Sequence, residues 1–172
     1  MIGNDIIDLN LINMPSDRHI NKYFSEKEKL SFSINDYWLL FSLKEADFKF
    51  LQKYICLNNF YPKKIIVNNN LKYIEYLNIN INILKIEYNK NYIHCIVGLN
   101  NNFNYKICNI YDYRDNFIDF YIKKYKKKPI IKKEINKLSP NGYSPPIIIN
   151  DFTSSISFSN DGQYGAWAHI KY

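Results

Sequence analysis

Between residues 36 and 54 the apolar side chains recur at helical spacing, with Trp38, Phe41, Ala46, Phe48 and Leu51 flanked by Leu39 and Leu43. From residue 61 to about residue 98 the spacing changes. Runs at 65–67, 73–76, 81–88 and 92–97 are rich in β-branched and aromatic residues and are separated by Asn-rich turns. The first pattern predicts a well-buried helix and the second an antiparallel meander. A chain that switches period in this way is built to lay a helix on a sheet.

The flanks extend that reading. Residues 1–9 read as a short buried strand in which Gly3 permits the close approach of another group. Pro15, Ser16 and Asp17 offer a helix start, and Ser25 with Glu28 forms a capping-box pattern. Residues 115–127 predict an amphipathic helix with Phe117, Phe120, Tyr121 and Tyr125 on one side, ended by Pro129. Pro140-Asn141-Gly142 marks a turn, and 154–159 with 164–170 predict a hairpin around Asn160-Asp161-Gly162. With no internal repeat or linker, the expectation is a single α+β domain over 1–172, an antiparallel sheet packed against helices.

Lys and Arg number 23 against 16 Asp and Glu, a formal charge of +7. That balance favours an anionic partner: nucleic acid, a membrane surface, a phosphorylated ligand or an acidic protein. Cys56, Cys95 and Cys108 are odd in number and form no C-x-x-C pair, which argues against a disulfide framework or a zinc site and for a reducing cytoplasm. His19, His94 and His169 have no ligand spacing. Asp5 and Asp8 interrupt the apolar N-terminus, unlike a secretory signal, and apolar runs such as 147–149 are far too short to span a bilayer. The run Lys123-Lys124-Tyr125-Lys126-Lys127-Lys128 reads as a solvated helix end or as a landing surface for an acidic partner.

Three segments carry most of the chemistry: Gly3-Asn4-Asp5-Ile6-Ile7-Asp8, Phe41-Ser42-Leu43-Lys44-Glu45-Ala46-Asp47-Phe48-Lys49, and Ser155-Ile156-Ser157-Phe158-Ser159-Asn160-Asp161-Gly162-Gln163-Tyr164. Taken singly, Asp5 is a turn or cap residue, Lys44, Glu45 and Lys49 a solvated helix face, and Ser159 and Asn160 hairpin residues. Glu45 and Lys49 are four residues apart and so share one helix face.

In order and spacing the three segments together resemble the 4′-phosphopantetheinyl transferase superfamily, nearest its short holo-acyl-carrier-protein synthase type. Its pattern is an N-terminal G-x-D, then an aromatic-x-x-K-E-A-x-x-K helix, then a strand of S-x-S-H type. Weaker matches lie at 18–28, with Arg18 and Phe24-Ser25, and at Asn141-Gly142 followed by Pro145. The resemblance touches both ends of the chain and is weakest over 55–138.

The resemblance implies transfer of the 4′-phosphopantetheine arm of coenzyme A to a serine of an apo acyl or peptidyl carrier protein, with release of 3′,5′-ADP. It implies a magnesium ion on Asp5 and Glu45, since magnesium takes carboxylates, substrate phosphates and water. Glu45 and Lys49 become the catalytic pair, and Lys44, Lys49, Ser159 and Asn160 face coenzyme A. Arg18 faces the carrier, and Asp8 has a supporting role. Two positions depart from the pattern. Asn160 stands at the family histidine and can donate a hydrogen bond but carries no proton at neutral pH. Leu40 stands where an arginine often precedes the aromatic residue.

With one set of motifs in the chain, the short type, which assembles as a trimer, further implies a homo-oligomer in which Ser159 and Asn160 face Asp5 and Glu45 of a neighbour. Partners are then coenzyme A and a carrier, with no nucleic acid and no membrane. A degenerate homologue that binds coenzyme A or a carrier without catalysis, and a basic nucleic-acid-binding module, stay open as alternatives.

Overall fold

The computed structural model describes residues 1–136 and 143–172. The turn expected at 140–142, and with it the Asn141-Gly142 part of the weaker motif, lies outside the described residues. The first half runs β1 (Ile2–Asp8), α1 (Asp17–Tyr23), α2 (Glu26–Ser31), α3 (Tyr37–Tyr54), β2 (Ile65–Val67), β3 (Tyr73–Tyr76), β4 (Ile79–Tyr88) and β5 (Tyr92–Gly98). The second runs β6 (Phe103–Asn109), α4 (Tyr113–Tyr125), β7 (Ile131–Lys132), β8 (Ile147–Ile148), β9 (Ser154–Asp161) and β10 (Tyr164–Lys171). The class is mixed α+β.

The expected meander β2-β3-β4-β5 is antiparallel, and β1 adds to its β5 edge, giving the order β1-β5-β4-β3-β2. A second sheet has the order β6-β10-β9, and β7 pairs with β8. Three apolar clusters define the layers. Leu40, Leu43, Phe50 and Leu51 of α3 pack on Ile65, Ile74, Ile93, Cys95 and Val97 of the larger sheet. Ile2 and Ile96 of that sheet meet Ala168 and Ile170 of the smaller one. Phe117 and Tyr121 of α4 cover Ile156 and Trp167 on its far side. The order is therefore helix, sheet, sheet, helix.

This stacking explains why β1 is buried along its whole length. One face meets α3 and the other meets the smaller sheet. Gly3 sits where α3 crosses: a Cβ there would fall 2.0 Å from the Ala46 carbonyl oxygen and 2.8 Å from the Phe50 nitrogen. Both obstacles are helix backbone, which does not move aside.

The caps follow the sequence reading. Ser16 caps α1, and Ser25 with Glu28 closes a capping box on α2. Glu28 does more than cap. Its buried carboxylate also accepts from the Val67 amide at 3.0 Å and from Lys44 Nζ at 2.8 Å, tying α2 to α3 and β2. Lys44 Nζ donates further to the carbonyls of Pro62, at 2.7 Å, and Ile65.

Several boundaries differ from expectation. No element was expected at 103–109, yet β6 forms there. Phe103, Tyr105 and Ile107 alternate with polar or smaller residues, a period-two signal masked by the Asn-rich composition. The helix α4 begins at Tyr113 and ends at Tyr125, with Lys126 in the left-handed region. In the last hairpin Asn160 and Asp161 are strand residues paired with Gly165 and Tyr164, so Gly162-Gln163 forms the turn and Gly162 supplies its positive φ.

Asp47 is fully buried on α3, and neither carboxyl oxygen has a hydrogen-bond partner among the described residues. Burial pushes its pKa from the usual 3.8 up to about 8, and nearby Lys44 offsets only part of that. The folded chain thus keeps a proton that the unfolded chain releases, so stability falls as pH rises from about 3.8 to about 8. Asp47→Asn removes this loss: its melting temperature should exceed the wild type's at pH 8, with the gap closing toward pH 4. An equal gap at both pH values would refute the assignment. Gly3→Ala should destabilise by about 3 kcal/mol in chemical denaturation, because the added methyl overpacks the helix–strand crossing.

Candidate active site at the junction of the two sheets

β1 turns the backbone of Gly3, Asp5 and Ile7 toward β5, which leaves the amides of Asn4, Ile6 and Asp8 on its free edge. Side chains of β9, not its backbone, take up these amides. Ser157 Oγ accepts from Asn4 N at 3.1 Å, Ser159 Oγ from Ile6 N at 3.2 Å and Asp161 Oδ2 from Asp8 N at 2.9 Å. Lys53 adds a clamp, donating from Nζ to the carbonyls of Ile2 and Ile156, both at 2.6 Å. The alternating Ser-x-Ser-x-Asp of β9 is thus a row of acceptors at strand spacing.

Asp5 lies on the α3 side of β1. Its Oδ1 accepts from Lys49 Nζ and from Ser159 Oγ, each at 2.8 Å, and Lys49 Nζ also reaches Ser159 Oγ at 2.9 Å. Ser159 therefore gives its proton to Asp5 and accepts from Ile6 and Lys49, which uses the full capacity of a hydroxyl. Asp5 Oδ2 has no hydrogen bond among the described residues.

Glu45 stands one turn before Lys49 on α3. Among the described residues it makes neither a hydrogen bond nor an ion pair. Burial and then the charge of Asp5 push its pKa up to about 7, while Lys49 pulls the other way. Two carboxylates and one ammonium leave this spot short of positive charge.

Asp5, Glu45, Asn160 and Asp161 line one wall of a cleft of about 540 Å³. Leu11, Met14, Pro15, Trp38 and Phe41 supply an apolar wall, and His19 of α1 joins them. Trp38, expected in the core, is half-buried and donates to the Asn13 carbonyl at 3.2 Å, whereas Trp167 is core. Asn160 is exposed; its Oδ1 accepts from Tyr113 OH at 3.3 Å, so its amide NH₂ remains available to the cleft.

A smaller recess of about 60 Å³ is lined by Lys49, Lys53, Lys133 and Ser157. Burial, then Lys49, brings the Lys53 pKa down to about 7. Burial, then Arg114 and Lys49, pushes Lys133 down as well. Like charges crowd one another here, so an anion would be welcome. Sequence reasoning missed both residues. Lys53 was legible as the next step of the Glu45, Lys49 face; Lys133 carried no local signal.

The fold brings together Asp5, Glu45, Lys49, Ser159 and Asn160, and it leaves Lys44 and Arg18 outside. Lys44 is a correction: it is fully buried, and all three ammonium donors are committed to Glu28, Pro62 and Ile65, so it faces no ligand. Arg18 is exposed on α1 beside His19 and does not line the cleft. Asp8 is buried behind the cleft. Burial opposes its ionisation, but the amides of Asn10 and Gln163 overcome this and hold its pKa below the usual value. The arrangement across a neighbour is also corrected, since Ser159 meets Asp5 within one chain.

Asp5 Oδ2 and the Glu45 carboxylate offer hard oxygen donors beside one open space, which fits magnesium. Among the described residues no cluster of three or more His, Cys, Asp and Glu side chains poised for a metal is found; magnesium completed by phosphates and waters needs none. Nor is any helix among them long and apolar enough to cross a membrane. Comparison with protein-family models, with curated proteins and with solved structures found no match.

Ser159→Ala leaves the Ile6 amide without its acceptor and Lys49 without one of its two. The variant should lose about 1–3 kcal/mol in urea unfolding. A change of a few tenths would mean that the hydroxyl does not hold the junction.

Proposed function

We propose that the cleft transfers the 4′-phosphopantetheine arm of coenzyme A to a serine of an apo carrier protein and releases 3′,5′-ADP. The observation that carries this reading is that Asp5 and Glu45, from opposite sides of a strand–helix crossing, line one cleft with carboxylate oxygens left uncommitted. Asp5 and Glu45 would hold a magnesium ion there, which would supply positive charge to offset the charge developing at phosphorus.

The chain's own groups fit the remaining tasks. Lys49 sits between the carboxylates and the lysine-lined recess, where it offsets part of the carboxylate charge and adds to the positive charge of the recess. Lys53 and Lys133 give the recess the sign a phosphate group requires. Asn160 offers an amide donor on the carboxylate wall. The apolar wall of Trp38 and Phe41 excludes water from one side of the reacting atoms. The overall charge of +7 suits a carrier that presents its serine beside an acidic helix.

A coenzyme A binder without transferase activity is the second reading. It is favoured by Asn160, which donates to phosphate but moves no proton.

The test incubates the protein with coenzyme A, magnesium and apo acyl or peptidyl carriers and follows carrier mass. The expected outcome is a gain of one phosphopantetheine with stoichiometric 3′,5′-ADP, abolished by chelation. Asp5→Ala and Glu45→Gln should each lower the rate by about 10²-fold or more. Unchanged turnover in both would refute the assigned metal site, and tight coenzyme A binding with no transfer would select the second reading.

A further inference from the structure

We propose that His19 is the catalytic base of the cleft, taking the proton from the hydroxyl that attacks phosphorus; this rests on the transferase reading. In that step the carrier serine Oγ forms a bond to the β-phosphorus of coenzyme A, the phosphorus next to the pantetheine arm. The bond from that phosphorus to the bridging oxygen breaks, and 3′,5′-ADP leaves with the electron pair. The hydroxyl proton passes to the imidazole and then to solvent.

The ionisable side chains on the cleft walls are Asp5, Glu45, Asp161 and His19. Asp5 holds Lys49 and Ser159 through Oδ1, which leaves Oδ2 for a cation. Glu45 is the other cation ligand, and a carboxylate bound to a metal is a poor proton acceptor. Asp161 accepts from the Asp8 amide and belongs to the seal between the sheets. His19 has none of these commitments: its backbone N–H donates to Ser16 Oγ at 3.4 Å, and its ring bonds nothing among the described residues. Imidazole is also the side chain suited to accept and release a proton near neutrality.

Its placement fits an acceptor for a macromolecular hydroxyl. His19 lies on α1, at the exposed rim of the cleft rather than in its floor, and Arg18 beside it is exposed for contact with an acidic partner. Asp17, Arg18 and Lys22 are the charged groups on its own helix, and Asp5 on β1, Glu45 on α3 and Asp161 on β9 share the cleft with it.

His19→Ala and His19→Gln should fold normally and lower kcat by about 10²-fold with little change in KM for coenzyme A. Both should reduce the fall in rate that the wild type shows toward acid pH to the part set by protonation of Glu45, and added imidazole should restore part of the activity of His19→Ala. The imidazole resonance of His19 should shift on addition of the apo carrier. If the wild type transfers but the variants keep its kcat and pH profile, His19 is not the base and the transferase reading stands. If the wild type performs no magnesium-dependent transfer, that reading fails and the role of His19 goes with it.

Discussion

The amides of Asn4, Ile6 and Asp8 point away from the larger sheet into the protein interior, where each must find an acceptor. The β9 side chains Ser157, Ser159 and Asp161 meet them one for one. Nearly everything else follows. Small residues on β9 and β10, among them Ala166 and Ala168, allow the sheets to approach. The approach buries β1 on both faces and brings Ser159 against Asp5. Asp5 then stands at the end of a cleft whose other carboxylate comes from α3.

Much of this was legible. The change of apolar period announced a helix on a meander, the capping box marked α2, and Gly3 announced a close crossing. Glu45 and Lys49 were legible together because residues four apart share a helix face, whereas Asp5 joined them only through the resemblance of the three segments to the 4′-phosphopantetheinyl transferase pattern. Other features were not, and the reasons are physical. Lys44 and Glu45 are adjacent in sequence, but a helix turns about 100° per residue, so one faces the cleft and the other the carbonyls of Pro62 and Ile65. No pattern within α3 says that a lysine will be enclosed, because its partner Glu28 belongs to another helix. The role of Ser159 at the junction is hidden in the sequence because the groups it bonds lie about 110 and 150 residues away in the chain. The smaller sheet was incompletely visible because β6 is written in Asn, Lys and Cys between its apolar positions.

Charge is distributed with the same economy. The protein is basic overall, yet the cleft wall holds Asp5, Glu45 and Asp161, and the lysines gather in the neighbouring recess. Lys49 belongs to both environments: it is ion-paired to Asp5 and also lines the recess. Such a division separates a place for a cation from a place for an anion by the width of one side chain.

A continuous backbone ladder between β1 and β9 would bind the halves of this molecule through groups that every residue shares, and no substitution could weaken it gradually. Here the join is written in the identities of a few side chains. Mutation can therefore retune the angle and gap between the halves one contact at a time while each half retains its own core. The line along which this protein is most open to evolutionary adjustment is the same line that shapes its cleft.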